Sequence, residues 1–228
     1  MDITSQDSLA ETLDLVNDAF FYDHAPTQAA RKEAALWISG RYGKPGSYAG
    51  MFAPTANDFR HGTSAFTGEP IRSRVAIAHI LGEEACRALL LLDVPDAAVK
   101  EALDGATHGM LQRLRQAETG NDVTGMYCCG TCSPAYWRHV AAGGLDRNEA
   151  RLTAAMRILK SHRAGEGRWR RFPFFYTLLA LAGMDSKPAL EEMRYAAPAV
   201  ERYLKRSPSK GKYSARRRTV CDRILARC

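Results

Sequence analysis

The densest group of reactive side chains lies in residues 127–139, which read YCCGTCSPAYWRH. Cys129 and Cys132 form a Cys-x-x-Cys pair, and Ser133, followed by proline, is typical of a helix start. A helix N-terminus stabilises a thiolate and lowers its pKa. In a redox interpretation one thiolate attacks a substrate and the other resolves the intermediate. The catalytic set is then Cys129, Cys132 and His139.

Two other interpretations of these cysteines stay open. Cys128, Cys129, Cys132 and His139 offer four soft ligands to a metal ion. Adjacent cysteines rarely bind one ion, however, and a second Cys-x-x-Cys is missing, so we expect neither a structural metal nor a cofactor. In the third interpretation the thiols pack as small hydrophobic groups around the helix start. Cys86, Cys221 and Cys228 are predicted to be buried on apolar helix stripes.

The Cys-x-x-Cys pair resembles that of the all-helical alkylhydroperoxidase D-like family. In that family three residues separate the second cysteine from a histidine. Tyr136 occupies the histidine's place here, and His139 comes three residues later. The resemblance implies thiol redox chemistry with a histidine as proton relay.

A histidine and a carboxylate also recur at helical spacing further upstream. His79 and Glu83 are four residues apart in a strongly apolar segment, so they should share one face of a helix. Such a pair could share a proton or a metal ion. The alternative is a buried pair whose hydrogen bonds are satisfied within the core.

A second candidate site combines arginines with aromatic residues in front of an apolar segment. Guanidinium groups and helix N-terminal amides both favour anions. We therefore expect a phosphate or carboxylate group to bind at the mouth of an apolar cavity. The alternative is a solvated loop in which the tryptophan stacks under an arginine. The predicted ligand-binding residues are Arg163, Arg168, Trp169, Arg170, Arg171 and Tyr176.

Every periodic segment of the chain has helical spacing, and none alternates as a strand would. Residues 172–182 are apolar on all sides, which predicts a helix in the middle of the protein. We predict an all-α fold of antiparallel helix hairpins. Residues 1–206 form the helical domain, and residues 207–228 form a basic helix that packs on it or extends from it.

The segment GEGRW at 165–169, followed by FPFFYTLLAL at 172–181, resembles the loop and inner helix of α/α toroid proteins. That group includes prenyltransferase β-subunits and terpenoid cyclases. The resemblance implies helix hairpins around a central cavity that binds an apolar or anionic-headed ligand, or a partner protein. The sequence contains neither DDxxD nor DxDD, the acidic motifs of the related enzymes. Whether the protein is an enzyme is left open.

Charge is distributed unevenly along the chain. Residues 205–228 contain nine Lys or Arg and one Asp, whereas residues 1–24 contain six acids and no Lys or Arg. The favoured interpretation is that the basic helix faces the acidic first helix. Contact with nucleic acid or another polyanion through residues 205–228 is the alternative. A membrane span needs about 18 consecutive apolar residues. We find no such run and no secretory signal, so we expect a cytoplasmic protein.

Overall fold

The computed structural model describes residues 2–119, 122–206 and 210–228, and the predicted all-α class is confirmed. The helices are α1 (Leu9–Phe21), α2 (Gln28–Ser39), α3 (Ala56–Arg60), α4 (Arg74–Leu92), α5 (Ala97–Arg115), α6 (Ser133–Ala141), α7 (Asn148–Ser161), α8 (Phe174–Ala182), α9 (Lys187–Arg206) and α10 (Lys212–Leu225). None of the helices in this part of the chain has the length and apolar character needed to cross a membrane.

Two very small antiparallel sheets accompany the helices. Strand β1 (Thr63–Ser64) pairs with β2 (Pro70–Ile71), and β3 (Arg163–Gly165) pairs with β4 (Arg168–Trp169). Strands of two or three residues are too short to show alternation, so the sequence pattern did not predict them.

Helix α8 lies inside the protein, as its apolar composition predicts. Leu178, Ala180 and Leu181 are fully buried, and the helix packs against α6, α9 and α10. Pro173 is the N-cap and Gly183 the C-cap, so both lie at the ends of the helix, although Gly183 has a φ of −90° and does not use the left-handed conformation that favours glycine. A toroid-like arrangement around a central cavity stays a prediction.

Helix α4 is the scaffold for the residues considered below. It packs against α1, α2, α5 and α6, so most of its length is buried despite several polar residues. Ser73 caps its N-terminus by accepting a hydrogen bond from the backbone N–H of Ala76. Because α4 is enclosed, its polar side chains at His79, Glu83 and Glu84 need partners from neighbouring helices.

A buried polar network joins α4 to three other helices. Glu84 accepts hydrogen bonds from Arg138 Nε at 2.7 Å and from the Tyr176 hydroxyl. Arg138 Nη2 also donates to Asn17 Oδ1 at 2.8 Å. Because these four side chains come from α1, α4, α6 and α8, the network connects the four helices to one another.

The C-terminal helix α10 packs on α8 and α9, and its basic side chains Lys212, Arg216 and Arg223 contact α1. Arg216 Nη1 lies 2.6 Å from Asp14 Oδ1, and Arg216 Nη2 lies 2.8 Å from Asp18 Oδ1. The same guanidinium stands over the Phe66 ring at 3.9 Å. These contacts agree with the favoured interpretation that the basic helix faces the acidic one. Residues 207–209 of the predicted basic segment lie outside the described residues, and polyanion binding stays a prediction.

Replacing Arg216 by Ala should lower the free energy of unfolding by about 1–3 kcal/mol, because its guanidinium makes charge-assisted hydrogen bonds in a nearly buried position. Lys212→Ala is the matched control, since Lys212 pairs with the same Asp14 but is 59% exposed. Its loss should cost less than about 1 kcal/mol. Urea unfolding measures both. Equal effects of the two substitutions would contradict a specific role for Arg216.

Candidate functional site

The loop that carries the cysteines is anchored by aromatic residues of α6. Trp137 Nε1 donates to the carbonyl of Gly125 at 2.6 Å, and the Tyr136 hydroxyl donates to the carbonyl of Thr124 at 3.1 Å. A Cβ atom on Gly125 would lie 2.1 Å from the backbone nitrogen of Ala155. Only glycine fits there, so the start of the loop is held tightly between α6 and α7.

The turn between the Cys-x-x-Cys residues is packed just as closely. A Cβ atom on Gly130 would lie 2.4 Å from the carbonyl oxygen of Arg171. The Ser133 hydroxyl donates to the carbonyl of Cys129 at 2.8 Å. Cys132 itself is the N-cap of α6 and makes no side-chain capping hydrogen bond. The thiols of Cys128, Cys129 and Cys132 lie close together in this turn.

The three thiols differ in their access to solvent. Cys128 and Cys129 are exposed, whereas Cys132 is buried. Cys129 Sγ and Cys132 Sγ are 3.6 Å apart. The sulfur atoms of Cys128 and Cys132 and one ring nitrogen of His79 all lie within 4.8 Å of one another. The cluster therefore offers two accessible thiols, a buried third and an imidazole.

A buried chain of two imidazoles and a carboxylate lies behind the thiols. Glu83 Oε1 is 3.3 Å from His79 Nε2, and Glu83 Oε2 is 2.6 Å from His139 Nδ1. All three side chains are at most 1% exposed. Among the described residues, His79 Nδ1 has no hydrogen-bond partner. Because Nε2 faces Glu83, Nδ1 is the ring nitrogen that remains to act on the thiols.

The charges in this chain stabilise one another. Burial on its own raises the pKa of Glu83, but His139 and His79 outweigh it and lower the pKa to about 2. Burial lowers the pKa of His79, yet Cys128 and Glu83 more than compensate and raise it to about 9. An ionised Glu83 thus favours a protonated His79 beside a thiolate.

Two of the thiols are affected in opposite directions. The neighbouring His79 lowers the pKa of Cys128 against the effect of burial. Burial, followed by the charges of Cys129 and Cys128, raises the pKa of Cys132. The lowered pKa expected for Cys132 at a helix start is therefore wrong, because the side chain turns into the core. Cys128 is the thiol whose pKa the imidazole lowers.

Aromatic rings form the wall of the site next to His79. The Tyr48 ring stacks on the imidazole with a centroid distance of 4.1 Å and an interplanar angle of 15°. The Tyr127 ring meets the same imidazole edge-on at 6.0 Å, and Arg113 lies over Tyr127. Burial and the neighbouring Tyr127 raise the pKa of Tyr48, so its ring stays neutral. The stack restricts rotation of His79.

The predicted catalytic set is brought together only in part. Cys129 and Cys132 are in contact, whereas His139 faces Glu83 rather than the thiols. Cys128 and His79, which the predicted set did not include, lie close to Cys132. The His79-x-x-x-Glu83 spacing was the available signal in the sequence, but it did not reveal which cysteine lies next to it.

The chain matches no known protein-family model, no curated protein and no solved structure. The alkylhydroperoxidase D-like and toroid resemblances therefore stay predictions. The geometry of the cluster is therefore the basis for its possible chemistry.

The remaining cysteines are Cys86 on α4, Cys221 on α10 and Cys228 after α10, and they are not part of the group formed by His79, Cys128 and Cys132. Cys86 and Cys221 are buried, as predicted, and burial raises the pKa of both thiols. Cys228 is exposed, so the prediction that it is buried is wrong. It lies beyond α10, which ends at Leu225. Its exposure makes Cys228 a useful control for the accessible thiols of the cluster.

The predicted ligand-binding residues do not form a single site. Arg163 Nη2 pairs with Glu192 Oε1 at 2.8 Å, and the Trp169 indole N–H donates to Glu192 Oε2 at 2.9 Å. Arg168 lies over the Phe174 ring. The backbone N–H of Arg170 donates to the carbonyl of His162. These contacts fix the β3–β4 hairpin against α8 and α9.

Arg171 and Tyr176, by contrast, share a pocket with the cysteine loop. The pocket has a volume of about 260 Å³, and Thr131, between the Cys-x-x-Cys residues, forms part of its wall. Arg171 is exposed and has a positive φ of 68°. Binding of an apolar or anionic-headed ligand by these residues stays a prediction. Because the pocket borders the loop that carries the thiols, a ligand bound there would lie close to that loop.

Proposed function

We propose that the protein is a thiol oxidoreductase that exchanges disulfides through Cys128 and Cys132. One observation carries the proposal. An accessible cysteine lies beside an imidazole held by a buried carboxylate, and a second, buried thiol lies behind it. A nucleophile, a base and a group that orients the base are the parts that activated nucleophiles share.

The first step is attack by Cys128. Its thiol has already passed its proton to His79 Nδ1, and the resulting thiolate sulfur bonds to one sulfur of a substrate disulfide. The substrate S–S bond breaks, and the leaving thiolate takes the proton from His79. Glu83 acts as a positioning residue, because it accepts the Nε2 hydrogen and thereby keeps Nδ1 available as the base.

The second step is resolution by Cys132. Its sulfur attacks Cys128 Sγ, the mixed disulfide breaks, and the Cys132 proton goes to the second substrate thiolate. The substrate disulfide is reduced to two thiols while Cys128 and Cys132 are oxidised to a disulfide. Cys129 Sγ, 3.6 Å from Cys132 Sγ, can then attack Cys132 Sγ, which breaks the Cys128–Cys132 bond, releases the Cys128 thiolate and forms a Cys129–Cys132 disulfide. Cys132 is therefore a member of the disulfide whichever exposed cysteine is its partner.

The test is to oxidise the reduced protein with oxidised glutathione and to map the products by mass spectrometry. We expect an intramolecular disulfide that contains Cys132. The Cys132→Ser variant should stop at a glutathione adduct on Cys128, because the resolving thiol is gone. Cys228→Ser is the matched control and should behave like the parent, since Cys228 is exposed but lies outside the cluster.

Two results would contradict the proposal. If no disulfide containing Cys132 forms, or if the Cys132→Ser and Cys228→Ser variants give the same products, the oxidoreductase proposal is wrong. The cysteines would then have no role in disulfide exchange.

A further inference from the structure

We infer that His79, Cys128 and Cys132 form a binding site for a soft divalent cation such as Zn²⁺. The inference uses cysteines of the proposed redox centre but does not require disulfide exchange. The sequence analysis expected no metal, and the alternative set that it considered differs from this one, because His79 takes the place of His139 and Cys129 is not among the ligands. The reason is that His139 is directed at Glu83, from the other side of the carboxylate.

The donor atoms are close enough for one ion. The two sulfur atoms and the ring nitrogen of His79 lie within 4.8 Å of one another. Around a tetrahedral zinc ion, with Zn–S and Zn–N bonds of about 2.3 and 2.0 Å, ligand atoms are roughly 3.5–3.8 Å apart. An inward shift of about 1 Å therefore closes the site. Thiolate and imidazole ligands favour Zn²⁺ over hard cations such as Mg²⁺.

The surroundings of His79 provide an independent argument. A metal-bound histidine commonly donates its other ring N–H to a carboxylate, which fixes the ring and strengthens the ligand. His79 Nε2 faces Glu83 in this way, and Glu83 is in turn held by His139. Within the described part of the chain, His79 Nδ1 is left without a hydrogen bond of normal geometry, in a side chain that is 1% exposed. A buried polar atom without a partner is costly, and a bound cation would satisfy it.

Access to the site and the position of its ligands also suit a metal. Cys128 is exposed, so an ion has an entry path, whereas Cys132 and His79 form the buried side. The Tyr48 stack and the contacts of the loop already hold the ligands near their places. Little conformational freedom is then lost on binding.

Metal binding and disulfide formation exclude each other, because the ion binds thiolates and a sulfur atom in a disulfide is no longer a thiolate. A bound zinc ion would protect Cys128 and Cys132 from oxidation, and their oxidation would release the ion. A bound ion would thus control whether Cys128 and Cys132 can take part in disulfide exchange.

The experiment uses the full chain, reduced and freed of metal with a chelator, and titrates it with Co²⁺ and then Zn²⁺. We expect one ion per chain, a cobalt–thiolate charge-transfer absorption, and displacement of cobalt by zinc. Mg²⁺ should give no signal. Cys128→Ser and Cys132→Ser should each lower the affinity at least about tenfold, and Glu83→Gln by about 10- to 100-fold. Cys228→Ser should bind like the parent.

The inference is overturned if the cobalt complex lacks thiolate absorption or if Cys128→Ser binds zinc as tightly as the parent. Cys128 is exposed, so its replacement leaves the core intact and the comparison stays informative even where variants of buried residues fail to fold. The two proposals can fail separately. Disulfide exchange without metal binding would remove this inference alone, and tight metal binding without disulfide exchange would remove the oxidoreductase proposal alone.

Discussion

Replacing Cys128 by Ser is expected to reduce the rate of disulfide exchange on the order of 10³-fold or more, because the attacking sulfur is lost. His79→Gln should reduce the same rate by about 10²- to 10⁴-fold, the usual contribution of a general acid–base group. The rate is measured in a single turnover of the reduced protein with a chromogenic aromatic disulfide.

Cys129→Ser is the control that separates the two exposed thiols. Cys129 is adjacent in sequence and is also exposed, but it lies outside the group formed by His79, Cys128 and Cys132. Its replacement should leave the first attack close to the parent rate. If Cys129→Ser is inactive and Cys128→Ser is active, the nucleophile is Cys129 and our assignment is wrong.

The second large effect concerns stability. Glu84→Ala should lower the free energy of unfolding by about 3–5 kcal/mol, because it leaves the buried Arg138 guanidinium without its anionic partner. Asp104→Ala is the control. Asp104 also pairs with a cation, Lys100, but both side chains are more than half exposed, so its loss should cost about 0–1 kcal/mol. Guanidinium chloride unfolding of both variants gives the comparison.

A cost below about 1 kcal/mol for Glu84→Ala would show that the network of α1, α4, α6 and α8 contributes little. In that case apolar packing alone would set the arrangement of these helices, and the position of His79 and Glu83 on α4 would depend on that packing.

The helices and their buried faces follow from local properties of the sequence. Helical periodicity marks which side of each segment is apolar, and an all-apolar segment such as residues 174–182 has no side suited to water. The density of thiols at 128–132 is likewise visible in the sequence. Opposite charges at the two ends of the chain anticipate the pairing of Arg216 with Asp14 and Asp18.

The chemistry of the candidate site was decided by tertiary structure. Periodicity states which face of a helix is buried but not which helix covers it, so only the packing of α4 on α6 shows that Glu83 lies between His79 and His139. The same packing buries Cys132 and leaves Cys128 exposed. Burial and neighbouring charge then change the pKa of these thiols in opposite directions. Such effects depend on distances of a few ångströms between residues that are far apart in the chain, and local sequence patterns carry no information about those distances.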